Sequence, residues 1–223
     1  MSPRKRLVIF GAGGAAREIR WLAQEVDAVA PSYTFSGYVV SDLSKLGPLD
    51  SRAEVLGDVA WLRAHRGEFD AIALGIGMPG PRNRVATELL AEFGDEMFPT
   101  LIHPSVRLDR TTCRLGPGVL LCAGVTVTVH VQIEAFVLVN YNCSIGHETR
   151  VGRASVINPG ANLAGGVSIG PGVLIGTGAQ VLQYRSVGAG ATVGAGAVVV
   201  KDVPAGVTVV GVPARPLPPK ENA

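Results

Sequence analysis

From Leu115 onward, every sixth residue of the chain is Leu, Ile or Val: Leu115, Leu121, Val127, Ile133, Val139, Ile145, Val151, Ile157, Leu163, Ile169, Ile175, Val181, Val187, Val193 and Val199. If such residues filled about a third of positions at random, an unbroken run of this length would arise with probability on the order of 10⁻⁷. The residue after each aliphatic is usually small or turn-forming, as at Gly116, Asn140, Gly146, Gly152, Asn158 and Gly170. Four residues after it comes a small or β-branched one, as at Val119, Val125, Thr149, Ser155 and Ala161. Helical faces repeat near 3.6 residues, so a period of six excludes helix. It predicts a short flat strand and a bend, three of which close one triangular coil. Coils stacked about 4.8 Å apart align the aliphatics into three internal ladders. The fifteen hexads make about five coils, roughly 24 Å tall, and each buried aliphatic contributes about 1.5–3 kcal/mol. One hexad departs from the pattern: Arg185 replaces the small inward residue and Gln183-Tyr184 alter the bend, so these side chains are expected to point outward.

The pattern before residue 100 is different. Arg6–Phe10 reads as a buried strand, Gly11–Ala16 as a glycine turn, and the run through Arg17, Ile19, Trp21, Leu22 and Val26 as a helix. Further strands are predicted at Thr34–Val40 and Ala71–Leu74, a helix at Arg82–Phe93, and extended chain at Met97–Leu101. Strand, glycine turn and helix open a βαβ unit, so residues 1–100 are expected to form a small Rossmann-like α/β domain. Residues 101–223 are expected to form an all-β parallel β-helix with a C-terminal tail. The helix start after Gly13 suits a phosphate. A full dinucleotide site is disfavoured, because no acidic residue closes the second strand and the domain is short. A single nucleotide or nucleotide-sugar site and a turn that merely permits tight helix–strand packing both remain open.

Composition narrows the function. Gly is abundant at 29 copies while aromatics make up 5%, as a closely stacked backbone requires. A formal charge of +2 implies no nucleic-acid or membrane partner. Cys113, Cys122 and Cys143 have no metal-binding spacing and read as buried small hydrophobes, which suits a reducing compartment. The apolar run Leu7–Phe10 is too short for a signal peptide and no stretch is long enough to span a bilayer, so a cytoplasmic location is expected.

Several landmarks together resemble the sugar O/N-acyltransferases of the sialic acid O-acetyltransferase and bacillosamine (PglD-like) family. They are GAGGAAREI at the front, Leu101-Ile102-His103-Pro104-Ser105 at the junction, Asn140 with Ile145-Gly146-His147-Glu148, and the closing Val209–Arg215. The resemblance spans nearly the whole chain. It implies a left-handed coil and acetyl transfer from acetyl-CoA to an amino group on a nucleotide-linked sugar. It further implies His147 as general base, Glu148 as the acidic neighbour that raises its basicity, and a homotrimer with acetyl-CoA lying between adjacent coils. The nucleotide-sugar would be held by Gly11, Gly13, Gly14 and Ala15, with Ser41 and Asp42 after the second strand and Gly75 nearby. Val156, Gly165, Thr177 and Ala195 would contact the co-substrate, with Lys201 and Arg215, and also Arg185, available to its phosphates. The chain departs from many relatives at Ala15 and Val156, where they carry histidine. No metal is implied.

The chemistry agrees with this assignment. Only an unprotonated amine attacks a thioester, and histidine titrates in the range where a base can take that proton. His147, third in its hexad after inward-facing Ile145, is expected to project from a bend. His103 is expected to cap or pack, His130 to lie exposed on a turn and His65 at the surface, while Asn140 suits a structural turn position. Two other functions fit the same residues: O-acetylation of sialic acid or another sugar hydroxyl, and a non-catalytic nucleotide-binding scaffold.

Overall fold

The computed structural model describes residues 3–218, so the expected outer bounds at 1 and 223 lie outside the described residues. Strand β1 (Lys5–Phe10) buries its last four residues. Helix α1 (Gly14–Val29) follows and presents Ala16, Ile19, Leu22 and Ala23 to the core at helical spacing. Then come β2 (Tyr33–Val39), β3 (Val55–Gly57), α2 (Val59–Ala64), β4 (Ala71–Leu74) and α3 (Pro79–Phe93). The sheet order is β3-β2-β1-β4 with all pairs parallel. The expected strands lie where the pattern placed them, to within a residue. Helix α3 starts three residues earlier than expected, because a proline in its first turn is compatible with helix entry. The expectation of extended chain from Met97 is corrected. Gly94, at φ +79°, ends α3, and Asp95–Met97 closes a 3-10 turn before extended backbone resumes at Leu101–Ile102.

Those two residues already belong to the coil. Leu101–Ile102 pairs with Leu120–Leu121, and Arg107–Leu108 with Thr126–Val127, ahead of the first predicted hexad. One extra residue in the Asp109–Cys113 loop shifts the phase and hides these strands from a strict six-residue count. From Arg114 the strands are two residues long and recur at six-residue spacing to Val198–Val199. Up to Gln180–Val181 each pairs in parallel with the strand eighteen residues on, as Leu138↔Val156 and Ser144↔Asn162 illustrate. The last turns are Val203, bridged to Val187, and Thr208–Val210, paired to Thr192–Val193. In each hexad but that of Val181, whose fifth residue is Arg185, the aliphatic points inward and a small fifth residue joins it, so Val119, Val125, Ala161 and Ala191 have no exposed surface. Buried Thr149 and Ser155 find partners inside, donating to the carbonyls of Ala164 (3.1 Å) and Gly170 (2.9 Å). The bend is made by the fourth residue, at φ between 54° and 71° from Asn142 to Gly172. All three cysteines are buried and free. Burial pushes the Cys122 thiol up to about 12 and Cys143 up to about 11.

The triangular coil has three faces. The first carries Leu101, Leu120, Leu138 and Val156 on its outer side, packed against Ile19, Leu22 and Ala23 of α1. The second carries Thr126, Ser144, Asn162 and Gln180, and the third Arg114, Gln132, Arg150 and Ser168. The front α/β layers therefore sit on the apolar first face and grip both of its edges. At one edge, His103 Nε2 lies 3.0 Å from Glu25 of α1, and Trp21 faces Tyr141. At the other, Arg153 lies over the Phe136 ring and donates to Asn83 of α3.

Arg82 fixes that second edge. It is fully buried on α3, with Nε donating to Phe136 O (2.5 Å) in the coil and Nη1 to Leu74 O (2.9 Å) and Ile76 O (3.0 Å) after β4. Among the described residues no carboxylate contacts it, and burial pushes its pKa down to about 9, so it remains charged at neutral pH on carbonyl dipoles. Arg82→Ala leaves a cavity and three carbonyls without their donor. Urea unfolding is expected to show a loss of about 2–4 kcal/mol; a loss under about 1 kcal/mol would contradict this role.

Candidate functional site

The edge between the second and third faces carries His147. Ile145 points into the coil, Gly146 begins the bend, and His147 and Glu148 project outward, Glu148 at φ +60°. The imidazole is half exposed, and its Nδ1 lies 3.7 Å from Glu148 Oε2, an ion-pair contact too long for a hydrogen bond. Glu148 is therefore a charged neighbour of the ring and not a tight acceptor. One coil on, eighteen residues away, stands Gly165. A Cβ there would lie 2.2 Å from His147 Nε2 and 2.4 Å from Cε1, so the ring rests on bare backbone. Gly165, expected to contact the co-substrate, is thus the seat of the His147 ring.

The second element is a cavity of about 390 Å³ at the open end of the front sheet, lined by Gly11, Gly13, Ser41 and Asp42. Gly13 is the N-cap of α1 with no side-chain capping bond, and the first turn holds no acidic residue. Its amide groups and the positive end of the helix therefore face the cavity uncompensated. Two of the pocket's three acids are already committed. Asp42 accepts from Ser44 Oγ (2.6 Å) and Ser44 N (2.9 Å) and pairs with Lys45 (3.0 Å), which holds its carboxyl down to about 2. Asp50 accepts from Gly47 N (2.8 Å) and Arg17 (2.6 Å), which keep it below the usual carboxylate range. Lys45, Asp50, Ile76, Arg84 and Glu88 also line the cavity. The sequence reading missed them because they come from a loop and a helix that only folding brings together.

The other expected ligand-contacting residues divide by location. Gly14 and Ala15 lie in the first turn of α1. Gly75 and Gly11 serve close packing: a Cβ on Gly75 would lie 2.5 Å from Ala16, and one on Gly11 2.7 Å from Gly75 O. Val156 has no exposed surface and packs in the cluster under α1, so its side chain meets the front layers and not an open groove. Thr177 and Ala195 are exposed on the edge between the first and second faces, across the second face from His147. Lys201 and Arg215 line a cavity of about 270 Å³ at the far end of the coil. Arg185 points outward to Asp202 at 3.8 Å. His103 packs as expected, taking Ser105 N–H on Nδ1 at 3.0 Å. His130 is exposed on its turn, but His65 is partly covered by stacking on Trp61. Asn140 donates to Asn158 in the next coil (3.3 Å), a structural ladder. Among the described residues no group of three or more His, Cys, Asp or Glu could hold a metal ion, and no helix is long and apolar enough to cross a membrane.

No protein-family model and no curated protein matches the chain. Solved structures do. PerB from Caulobacter crescentus, in complex with CoA and GDP-perosamine, is 31% identical, with a TM-score of 0.81 over 96% of this chain and 97% of that one. Two further structures of that perosamine N-acetyltransferase carry asparagine or alanine in place of one histidine, again with CoA and GDP-perosamine. The acetyltransferase domain of PglB from Neisseria gonorrhoeae is 30% identical, with a TM-score of 0.83 over 96% of this chain and all of that domain. WeeI from Acinetobacter baumannii is 27% identical, with a TM-score of 0.80 over 95% and 99%. Fold, hexad register and whole-length likeness agree: the chain belongs to the left-handed β-helix family of CoA-dependent nucleotide-sugar N-acetyltransferases.

Proposed function

We propose that this protein transfers the acetyl group of acetyl-CoA to the amino group of a nucleotide-linked amino sugar, with His147 as general base and the substrates held between neighbouring chains. The observation that carries the reading is the position of His147, exposed on a coil edge and seated on Gly165 with Glu148 beside it. The relatives support the substrate class, since one is a perosamine N-acetyltransferase bound to CoA and GDP-perosamine.

The nucleotide-sugar binds in the cavity at Gly11, Gly13, Ser41 and Asp42, with its phosphates at the uncapped start of α1. The free amine attacks the thioester carbonyl carbon directly. As the C–N bond forms, His147 takes the amine proton; the C–S bond then breaks and the proton passes to the departing thiolate. No covalent acyl-enzyme is needed, and most of the acceleration comes from holding amine, thioester and imidazole in line.

One chain does not complete this site. Its front layers cover the first face, whereas His147 occupies the opposite edge. The cavity that serves a given His147 therefore belongs to another chain, as do the Thr177 and Ala195 that approach it. Closed cyclic symmetry then makes a homotrimer with three equivalent sites.

His147→Ala is expected to lower turnover by about 10²–10⁴-fold with an unchanged melting temperature; full activity would remove His147 as the base. Gly165→Ala keeps an acceptable backbone but forces the ring off its seat, so kcat is expected to fall about 10²-fold. A kcat within twofold of the unaltered protein would show that the seat is dispensable. Gly13→Glu places a negative charge at the phosphate site, where there is open space for it. Equal mixtures of His147→Ala and Gly13→Glu chains, reassembled from monomers, are expected to regain about a quarter of full activity. No recovery would mean that cavity and base act within one chain.

A further inference from the structure

The cavity beside the glycine turn holds two charged side chains that the fold leaves idle. Arg84 and Glu88 of α3 both line it, and both are exposed. The cavity's other charges are engaged, Lys45 with Asp42 and Asp50 with Arg17. Arg84 and Glu88 stand four residues apart, a spacing at which helical side chains can pair. Among the described residues, however, neither makes an ion pair or a side-chain hydrogen bond with the other or with a third group.

Their place in the cavity is away from the phosphate end. Gly77 packs close to Ala15, a Cβ there lying 3.5 Å from it, so α3 sets out beside the first turn of α1. Glu88 comes nine residues after Pro79, about 13 Å along the helix axis. The cavity is walled with apolar Val40, Val59, Ile76 and Val85. Aliphatic walls for the ring faces, with polar groups for the ring edge, are what a nucleotide base requires. An idle carboxylate in a cavity that takes a diphosphate repels its ligand, unless N–H donors of that ligand meet it.

The chemistry of the pair specifies the base. Arginine only donates and an ionised glutamate only accepts. Along its Watson–Crick edge guanine offers O6, then N1–H, then the N2 amino group. Arg84 suits O6, and the two oxygens of Glu88 suit the neighbouring N–H groups in a bidentate contact. Of the common bases only guanine presents two adjacent donors there. Uracil and thymine present one donor between two carbonyls, so one carbonyl oxygen would face the Glu88 carboxylate.

We propose that Arg84 and Glu88 select the nucleotide, reading the base edge so that the cavity takes a guanine nucleotide in preference to a uracil or thymine one. The proposal rests on the acetyltransfer reading and adds the identity of the base to it.

Calorimetry of GDP, UDP and dTDP with the intact protein is the test, with CoA as the control ligand. GDP is expected to bind at least about 30-fold more tightly than UDP or dTDP. Glu88→Gln exchanges one good helix former for another at an exposed position, so the fold is expected to hold. It also turns one acceptor into a donor, which suits the edge of uracil. The variant is expected to bind GDP about 10- to 30-fold more weakly and UDP more tightly than the unaltered protein does, with CoA affinity unchanged. A purely structural role for Glu88 would not exchange one base for another. UDP or dTDP binding as tightly as GDP, or a Glu88→Gln variant that keeps the original order of affinities, would overturn the base reading while leaving the cavity and His147 in place. An unaltered protein that binds CoA but none of the three nucleotides would remove the cavity as the nucleotide site, and the base reading with it.

Discussion

Each coil hydrogen-bonds to the next through backbone groups, residue against residue eighteen further on, as in Leu138 N to Ser155 O (3.0 Å) and Asn140 N to Ile157 O (2.8 Å). Because the ladder is backbone, it tolerates varied outward side chains, and because it is parallel and in register, it stacks equivalent bends directly above one another. The inward aliphatics prevent slippage: a shift of one residue would turn the whole ladder outward. The site depends on this register. His147 meets Gly165 only because a separation of eighteen residues becomes nearest-neighbour contact.

The same register determines how the front layers attach. Of the three outer faces one is apolar, and α1 covers it. Buried Arg82 and the His103–Glu25 contact then fix the two margins from opposite sides. Attachment to one face leaves the opposite edge free, and His147 lies there. Cavity and His147 are thus separated within the chain by the geometry that gives the chain its core. On the proposed reading the site closes between chains, where water is also most readily excluded.

The coil was legible because a period of six leaves a mark on every residue class it uses: aliphatic, small, and positive-φ turn. It became illegible where one added residue between Leu108 and Leu115 broke the phase, although both flanking strands pair normally. In the front layers β1, α1, β2 and β4 were legible from long apolar patterns. Strand β3 and helix α2 were not, being three and six residues long and held by local capping at Asp58 and by register with β2. Site residues followed a similar rule. Gly13, Asp42 and His147 stand in local motifs, whereas Arg84 and Glu88 gain their positions from distant parts of the chain. The outward face of Val156 could be assigned from the repeat, but the helix covering that face could not.

A structure of the assembled protein with CoA and a GDP-linked amino sugar tests the central claim most directly. The distance that matters runs from His147 Nε2 to the sugar's amino nitrogen, together with the identity of the chain whose Gly13 loop holds the phosphates. The account predicts about 2.6–3.2 Å, with imidazole and loop contributed by different chains. An amino group remote from every His147, or a base and loop supplied by the same chain, would contradict it.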